Sequence, residues 1–310
     1  MPRVLSYTVD DIAEVVRSAE QSPLKRERMV KALRKAERVR GVPSVPFHLL
    51  PESIRWNLCR LRLSRGQWDW NGWELRSDWR VKVSDRQPMR FWDGKPCKLL
   101  LIADEGIGDE ITALSCLRKL MAETEVTVEC DSRLQEVVER SFGVRTIPRQ
   151  HSWDLRKECD AFLPMLDLLP RYLKSPEDCD GKPFLVPDPD RVEHWRSVLP
   201  KNPVGYAFKG RHGVIERPEG NVSLQYDDPD CPLDARKAFA DLVNLVAALD
   251  RVVSCPQSVV HLAGALGIKT DVYMPRRGTG EVNNTLHWRY LTGMPFYDSV
   301  TVWASATICL

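Results

Sequence analysis

The sequence predicts an α/β protein of two doubly wound halves behind a helical N-terminal extension, and three observations predict it. From Cys97 onward, apolar runs of strand length alternate with stretches of helical period. Glycine turns such as Gly106-Ile107-Gly108 sit where a strand gives way to a helix. The alternation lapses across a proline- and aspartate-rich stretch and then starts again. With 310 residues and 43% apolar content, the chain is long enough for two cores. The expected divisions are an extension over 1–65, a first α/β domain over 66–190 and a second over 191–310.

Between Val9 and Arg40, Ile12, Val15, Val16 and Ala19, then Met29, Val30, Leu33 and Ala36, recur at a spacing of three to four. Ser22-Pro23 divides them, so two short helices are predicted, the second with a strongly basic exposed face. The next stretch carries tryptophans at 56, 68, 70, 73, 79 and 92 interleaved with arginines. Two readings stand side by side. The rings could stack on bases along a phosphate track, or pack the N-terminal segment onto the next domain with the arginine heads in water.

CKLLLIA (Cys97 to Ala103) reads as a buried parallel strand, EGIGDE as a turn and ITALSCLRKLMAET as one amphipathic helix. EVTVEC, SRLQEVVERSFG and VRTIP continue as strand, helix and strand. Gln150 to Pro203 reads as connecting structure. A second series follows: a strand in NPVGYAFKG, a strand in NVSLQYDD, the helix DARKAFADLVNLVAAL, the strand DRVVSC, the helix QSVVHLAGALG and the strand KTDVYMP. Two such halves predict a ligand cleft at facing strand ends.

Net charge is only +2, yet the first 95 residues carry about +8 and the rest about −6. The start of the chain has no basic segment leading into an apolar one, and no apolar run approaches the roughly 20 residues of a membrane span. A cytoplasmic protein is therefore expected. Nine cysteines without a C-x-x-C pair predict free thiols. His194, His212, His261 and His287 lie far apart, and D-x-D, Walker A and G-x-S-x-G motifs are absent, so no metal site is expected.

The order of landmarks over Gly66 to Trp303 resembles the glycosyltransferases related to the catalytic region of O-linked N-acetylglucosamine transferase, and also the heptosyltransferases. The likeness rests on GWELRSDWR (Gly72 to Arg80), RFWDGKPCKLLLIADEGIGDEI, VTVEC, VGYAFKG, VSLQ, VVHLAGALG and HWRYLTGMPFYDSVTVW in that order. It implies a GT-B fold of two Rossmann-like domains facing a cleft, and metal-independent, inverting transfer of a sugar from a nucleotide diphosphate donor, UDP-sugar favoured. The helical repeat array usual in the family is absent.

The resemblance implies Asp109 as the general base that takes the acceptor's proton. An aspartate capping the helix that begins near Glu110 is the other reading. Glu105 is the rival carboxylate, and Gly106 and Gly108 allow close backbone approach to a substrate. Gln257 and Ser258 begin the helix whose amides would meet the donor phosphates, and the resemblance places His261 beside them, a satisfied structural histidine being the other reading. Lys209 and Arg211 are phosphate contacts or an exposed basic loop. Gln225 matches a position near the nucleotide base, and Arg276, Arg277 and Arg289 are a clamp over the donor or surface residues. Trp73, Arg76 and Arg80 are candidates for binding the acceptor. The charge asymmetry suggests a polyanionic acceptor, hydroxymethylated bases of phage-type DNA among them. Protein Ser/Thr or glycan hydroxyls are the alternative acceptors. The chain departs from the family at Pro256-Gln257-Ser258, where relatives carry Asp-Thr/Ser-Gly/Ala, which keeps open a non-catalytic binding module.

Overall fold

The computed structural model describes residues 6–8, 44–46, 55, 59, 62–63, 68–75, 89–149, 158–210, 213–214, 218–225, 227–233, 239–274 and 294–304. They divide into two compact units, with the described residues up to Leu75 in one and those from Met89 in the other.

In the first unit, β1 (Ser6–Thr8) pairs antiparallel with β2 (Ser44–Pro46). The helices expected between Val9 and Arg40 lie outside the described residues, as do Trp56 and Trp79. Trp73 opens a single 3-10 turn, is 3% exposed, and meets Trp70 edge to face at 4.8 Å. Trp70 in turn meets Trp68 at 5.9 Å. This ladder of rings covers Trp73 within the first unit and leaves Trp68 and Trp70 half-buried.

The second unit holds two five-stranded parallel sheets. The first is made by β3 (Arg90–Phe91), β4 (Lys98–Ile102), β5 (Glu125–Cys130), β6 (Arg145–Pro148) and β7 (Ala161–Pro164), in the order β3-β7-β4-β5-β6. Leu99, Leu100, Leu101 and Ile102 on β4 are all at most 1% exposed, because a central parallel strand is covered on both faces. Each such side chain contributes about 1.5–3 kcal/mol by leaving water. The helices α1 (Ile107–Leu114) and α2 (Leu117–Met121) connect β4 to β5, α3 (Gln135–Phe142) connects β5 to β6, and α4 (Leu168–Tyr172) follows β7.

Two sequence expectations need correction here. The stretch read as a single helix breaks between α1 and α2, where the Ser115 hydroxyl donates to the Thr112 carbonyl at 2.7 Å. A serine that bonds back to the preceding turn competes with the helical ladder. The stretch from Gln150 to Pro203 is more than a connection. It contributes β7, the inner strand between β3 and β4, and the helix α5 (Pro189–Val198). The Asp188 side chain caps α5 by accepting from the Asp190 and Arg191 amides.

The second sheet takes β8 (Val204–Ala207), β11 (Val222–Ser223), β12 (Arg251–Ser254), β13 (Thr270–Met274) and β14 (Val300–Ala304), in the order β11-β8-β12-β13-β14. A separate short hairpin joins β9 (Lys209–Gly210) to β10 (Gly213–Val214). Helix α6 (Phe239–Ala247) packs against α5, and α7 (Ser258–Leu266) packs against β12, β13 and α1. None of the eight described cysteines stands in a disulfide. Among the described residues, no helix is long and apolar enough to cross a membrane.

Candidate active site

The site begins where β4 ends. Its apolar run stops at Ala103, and Asp104, buried to 4% exposure, accepts the Leu166 amide at 3.3 Å. Glu105 and Gly106 are exposed on the turn that follows. Gly106 is the N-cap of α1, and Asp109 stands at the third helical position. Its Oδ2 accepts the Gly106 amide at 3.2 Å. The helix therefore starts at Ile107, three residues before the expected start near Glu110, and Asp109 closes its first turn from within. That bond satisfies one of the four donors a helix start leaves over. Asp109 is half-buried.

The equivalent junction in the second sheet is the turn from β12 through Cys255 and Pro256 into α7. Gln257 is its N-cap in extended conformation and Ser258 the first helical residue, both half-buried. The Gln257 amide nitrogen donates to Ser254 Oγ at 3.3 Å and to Cys255 Sγ at 3.5 Å, which holds the turn. A Cβ on Gly210 would lie 2.9 Å from the Pro256 carbonyl oxygen and 3.7 Å from Gln257 Cβ, so the β9 strand rests directly on this turn.

Lys209 and Gln225 join the same cluster. The Lys209 amide donates to Gln225 Oε1 at 3.0 Å, while its ammonium pairs with Asp227 at 2.7 Å on a half-exposed surface. Gln225 is 1% exposed, and its amide nitrogen lies near the Asp227 carboxylate without reaching hydrogen-bonding geometry. A buried donor left without an acceptor costs about 1–3 kcal/mol. A ligand carbonyl would remove that cost.

The two junctions meet. A Cβ on Gly108 would stand 3.4 Å from Ser258 Cα and 2.9 Å from His261 Cδ2. The first turns of α1 and α7, each at the carboxyl end of a strand in its own sheet, therefore abut. Gly108 accordingly makes room for α7 and the His261 ring. His261 is 5% exposed, and its Nδ1 lies 2.9 Å from Thr112 Oγ1. Tyr297 OH is 3.4 Å from both Thr112 Oγ1 and His261 Nδ1. Thr112 and Tyr297 carried no signal in the sequence. Thr112 sits one turn beyond Gly108 in a helix that reads simply as amphipathic, and Tyr297 enters from a distant segment.

Glu110, adjacent to the more conspicuous Asp109, carries no separate signal in the sequence. It is 1% exposed and accepts the Asp131 amide at 2.8 Å, with Arg149 at 3.3 Å. Burial pushes its carboxyl up to about 7, against the lowering pull of that amide and of Arg149. It ties the first turn of α1 to the end of β5.

Trp73 lies in the other unit. Arg76, Arg80, Arg211, Arg276, Arg277 and Arg289 lie outside the described residues.

No family model matches the chain. Among curated proteins it is similar to Protein FlbA of Caulobacter vibrioides, 23% identical over 66% of this chain and 44% of that one. This chain thus spans less than half the length of that relative. Among solved structures it is similar to the ADP-heptose lps heptosyltransferase II of E. coli at 15% identity and TM-score 0.45, over 66% of this chain and 90% of that one. It is also similar to the glycosyl transferase family 9 structure from Veillonella parvula DSM 2008, at 7% identity and TM-score 0.46, over 69% and 88%. At these scores, the two-sheet architecture rests on the strand pairings themselves.

Proposed function

We propose that this chain is a glycosyltransferase that moves a sugar from a nucleoside diphosphate to a hydroxyl acceptor, with inversion and without a metal ion. One observation carries the reading: the N-terminal turns of α1 and α7 abut at the carboxyl ends of two parallel sheets. Ligands of open parallel sheets bind at that end of the strands. Helix starts favour anions through unpaired amides and the positive end of the dipole.

In this reading the diphosphate lies on the α7 start at Gln257 and Ser258, with Lys209 and Arg211 adding positive charge. The nucleotide base, uracil favoured, supplies the acceptor that the buried Gln225 amide lacks. Asp109 takes the proton from the acceptor hydroxyl as its oxygen bonds to the anomeric carbon. The bond from that carbon to the diphosphate oxygen breaks, and the charge released is met by the α7 amides. Glu105 is the exposed carboxylate that could serve in place of Asp109.

The strongly basic first 95 residues favour a polyanionic acceptor, and hydroxymethylated bases in phage-type DNA supply both hydroxyl and charge. Protein Ser/Thr and glycan hydroxyls are the other acceptors. A non-catalytic nucleotide-sugar module is a second reading, favoured by Pro256-Gln257-Ser258 standing where the family carries an acidic residue.

The test presents UDP-, GDP-, ADP- and CMP-sugars to the full chain, with and without hydroxymethylated DNA, and follows thermal shift and nucleotide release. Stabilisation by one donor with release accelerated by an acceptor supports the transferase. Stabilisation without release supports the module. Absence of stabilisation at millimolar donor overturns both.

A further inference from the structure

Two arginines stand at the carboxyl ends of the neighbouring strands β5 and β6, and they use their guanidinium groups differently. Arg133, on the turn after β5, lays the side-on fork of its head on Asp131: Nε donates to Oδ1 and Nη2 to Oδ2, each at 2.8 Å. The same head stands 5.6 Å over the Phe239 ring at the start of α6. Arg149 follows β6 directly, and its amide donates to the Cys130 carbonyl at 2.9 Å, which carries the pairing of β5 and β6 one residue further. Among the described residues its guanidinium has one partner, Glu110, whose Oε1 lies 3.3 Å from Nη1. That contact is an ion pair without hydrogen-bonding geometry, and the Arg149 Nε–H, itself buried, has no acceptor.

The ion pair is unbalanced. Glu110 is 1% exposed, whereas the Arg149 side chain keeps 24% of its surface in solvent. Burial pushes the Glu110 carboxyl up to about 7, so near neutral pH a proton often sits there and the guanidinium charge is not cancelled. Asp131, the other carboxylate of the cluster, already gives both oxygens to Arg133. A charged guanidinium whose side-on fork lacks an acceptor suits a planar, bidentate grip on an oxyanion. The exposed end of the head meets the anion from solvent, and a small turn of the side chain brings the unsatisfied Nε–H onto it.

We propose that Arg149 heads an oxyanion subsite at the carboxyl end of the first sheet, where it holds a phosphate group of the acceptor. The proposal rests on the glycosyltransferase reading for calling the ligand an acceptor, whereas the affinity of Arg149 for phosphate does not depend on it. Glu110, which Arg149 touches, adjoins Asp109 on α1, so the anion and the proposed base belong to the same half. In the order β4-β5-β6, with neighbouring strands about 4.8 Å apart, the end of β6 lies roughly 10 Å from that of β4. The acceptor is then one whose hydroxyl and phosphate are several bonds apart.

The experiment labels the arginines of the full chain with 15N and follows their Nε–H signals, Arg149 and Arg133 being assigned by the signals missing from Arg149→Lys and Arg133→Lys. Inorganic phosphate at millimolar concentration is expected to move the Arg149 signal downfield and saturably. The Arg133 signal should move much less, since its fork already rests on Asp131. In calorimetry, run with UDP present so that a phosphate site on α7 is already filled, Arg149→Gln should weaken phosphate binding at least about tenfold. Arg149→Lys keeps the charge without the fork and should fall between. Duplex DNA in place of phosphate names the source: a shift of the same signal identifies a phosphodiester, and a shift with inorganic phosphate alone a phosphomonoester on a small acceptor. An Arg149 signal unmoved by both, a larger response at Arg133, or equal phosphate affinity in wild type and Arg149→Gln would overturn the proposal. If Arg149→Gln does not fold, the wild-type titration still decides. A moving Arg149 signal in a chain that binds no sugar nucleotide would keep the subsite and remove the glycosyltransferase reading; donor binding with an unmoved signal would do the reverse.

Discussion

Gly108 and His261 occupy one another's space: the methyl that any other residue would place at 108 falls 2.9 Å from the imidazole Cδ2. Gly108→Ala must therefore push the ring or separate the two helix starts. Overpacking of this kind costs about 1–3 kcal/mol. The expected outcome is a modest fall in the calorimetric unfolding midpoint, together with a loss of donor affinity larger than the stability change alone would produce. Equal affinity in wild type and variant would show that the junction of the two helices is not where the donor binds.

Asp109 bonds the Gly106 amide and is also the proposed base, and two substitutions separate these roles. Asp109→Asn keeps an oxygen for the Gly106 amide, so its stability should match wild type while turnover falls about 10²–10⁴-fold. Asp109→Ala loses the bond too, and should cost about 1 kcal/mol of stability in urea unfolding. If the asparagine variant turns over as fast as wild type, Asp109 is a structural residue, and Glu105 becomes the carboxylate to test.

Glu110 makes stability depend on pH in a stated direction. Burial raises its folded carboxyl to about 7 from the ordinary value of 4.5, so the folded chain holds a proton that the unfolded chain releases between these values. Its stabilising contribution is complete below the unfolded value and is lost as pH rises through the folded one, about 3 kcal/mol in all. Glu110→Gln keeps an oxygen for the Asp131 amide and cannot ionise. Between about pH 5 and about pH 8 the variant should lose distinctly less stability than wild type in urea titrations; parallel losses would mean that Glu110 titrates normally.

Gln225 separates folding from binding. Gln225→Met gives up the 3.0 Å bond to the Lys209 amide and also removes the amide nitrogen that lacks a partner, so the two costs offset. Stability should change by less than about 1.5 kcal/mol, while nucleotide affinity measured by calorimetry should fall at least about tenfold. Unchanged affinity would place the nucleotide base elsewhere.

The sequence by itself determined the regular parts of the second unit. The unbroken apolar run of β4, the alternation of β5 and the helical period of α3 and α7 are local patterns, and burial of a face writes such patterns directly into the chain. The glycines and carboxylates of the turn after β4 were legible for the same reason, since turn chemistry is local. β7 was not, because four residues ending in proline look like a connection until β3 and β4 are seen on either side. Nor was β3, only two residues long, or the edge strand β14.

What only the tertiary structure decided is which distant residues share the site. Thr112 and His261 are 149 positions apart, and Tyr297 and Thr112 are 185 apart. No local period records such a meeting. It arises when two sheets, each folded by its own pattern, pack with their helix starts together, and loop-closure entropy depends too weakly on length to mark the partners in advance.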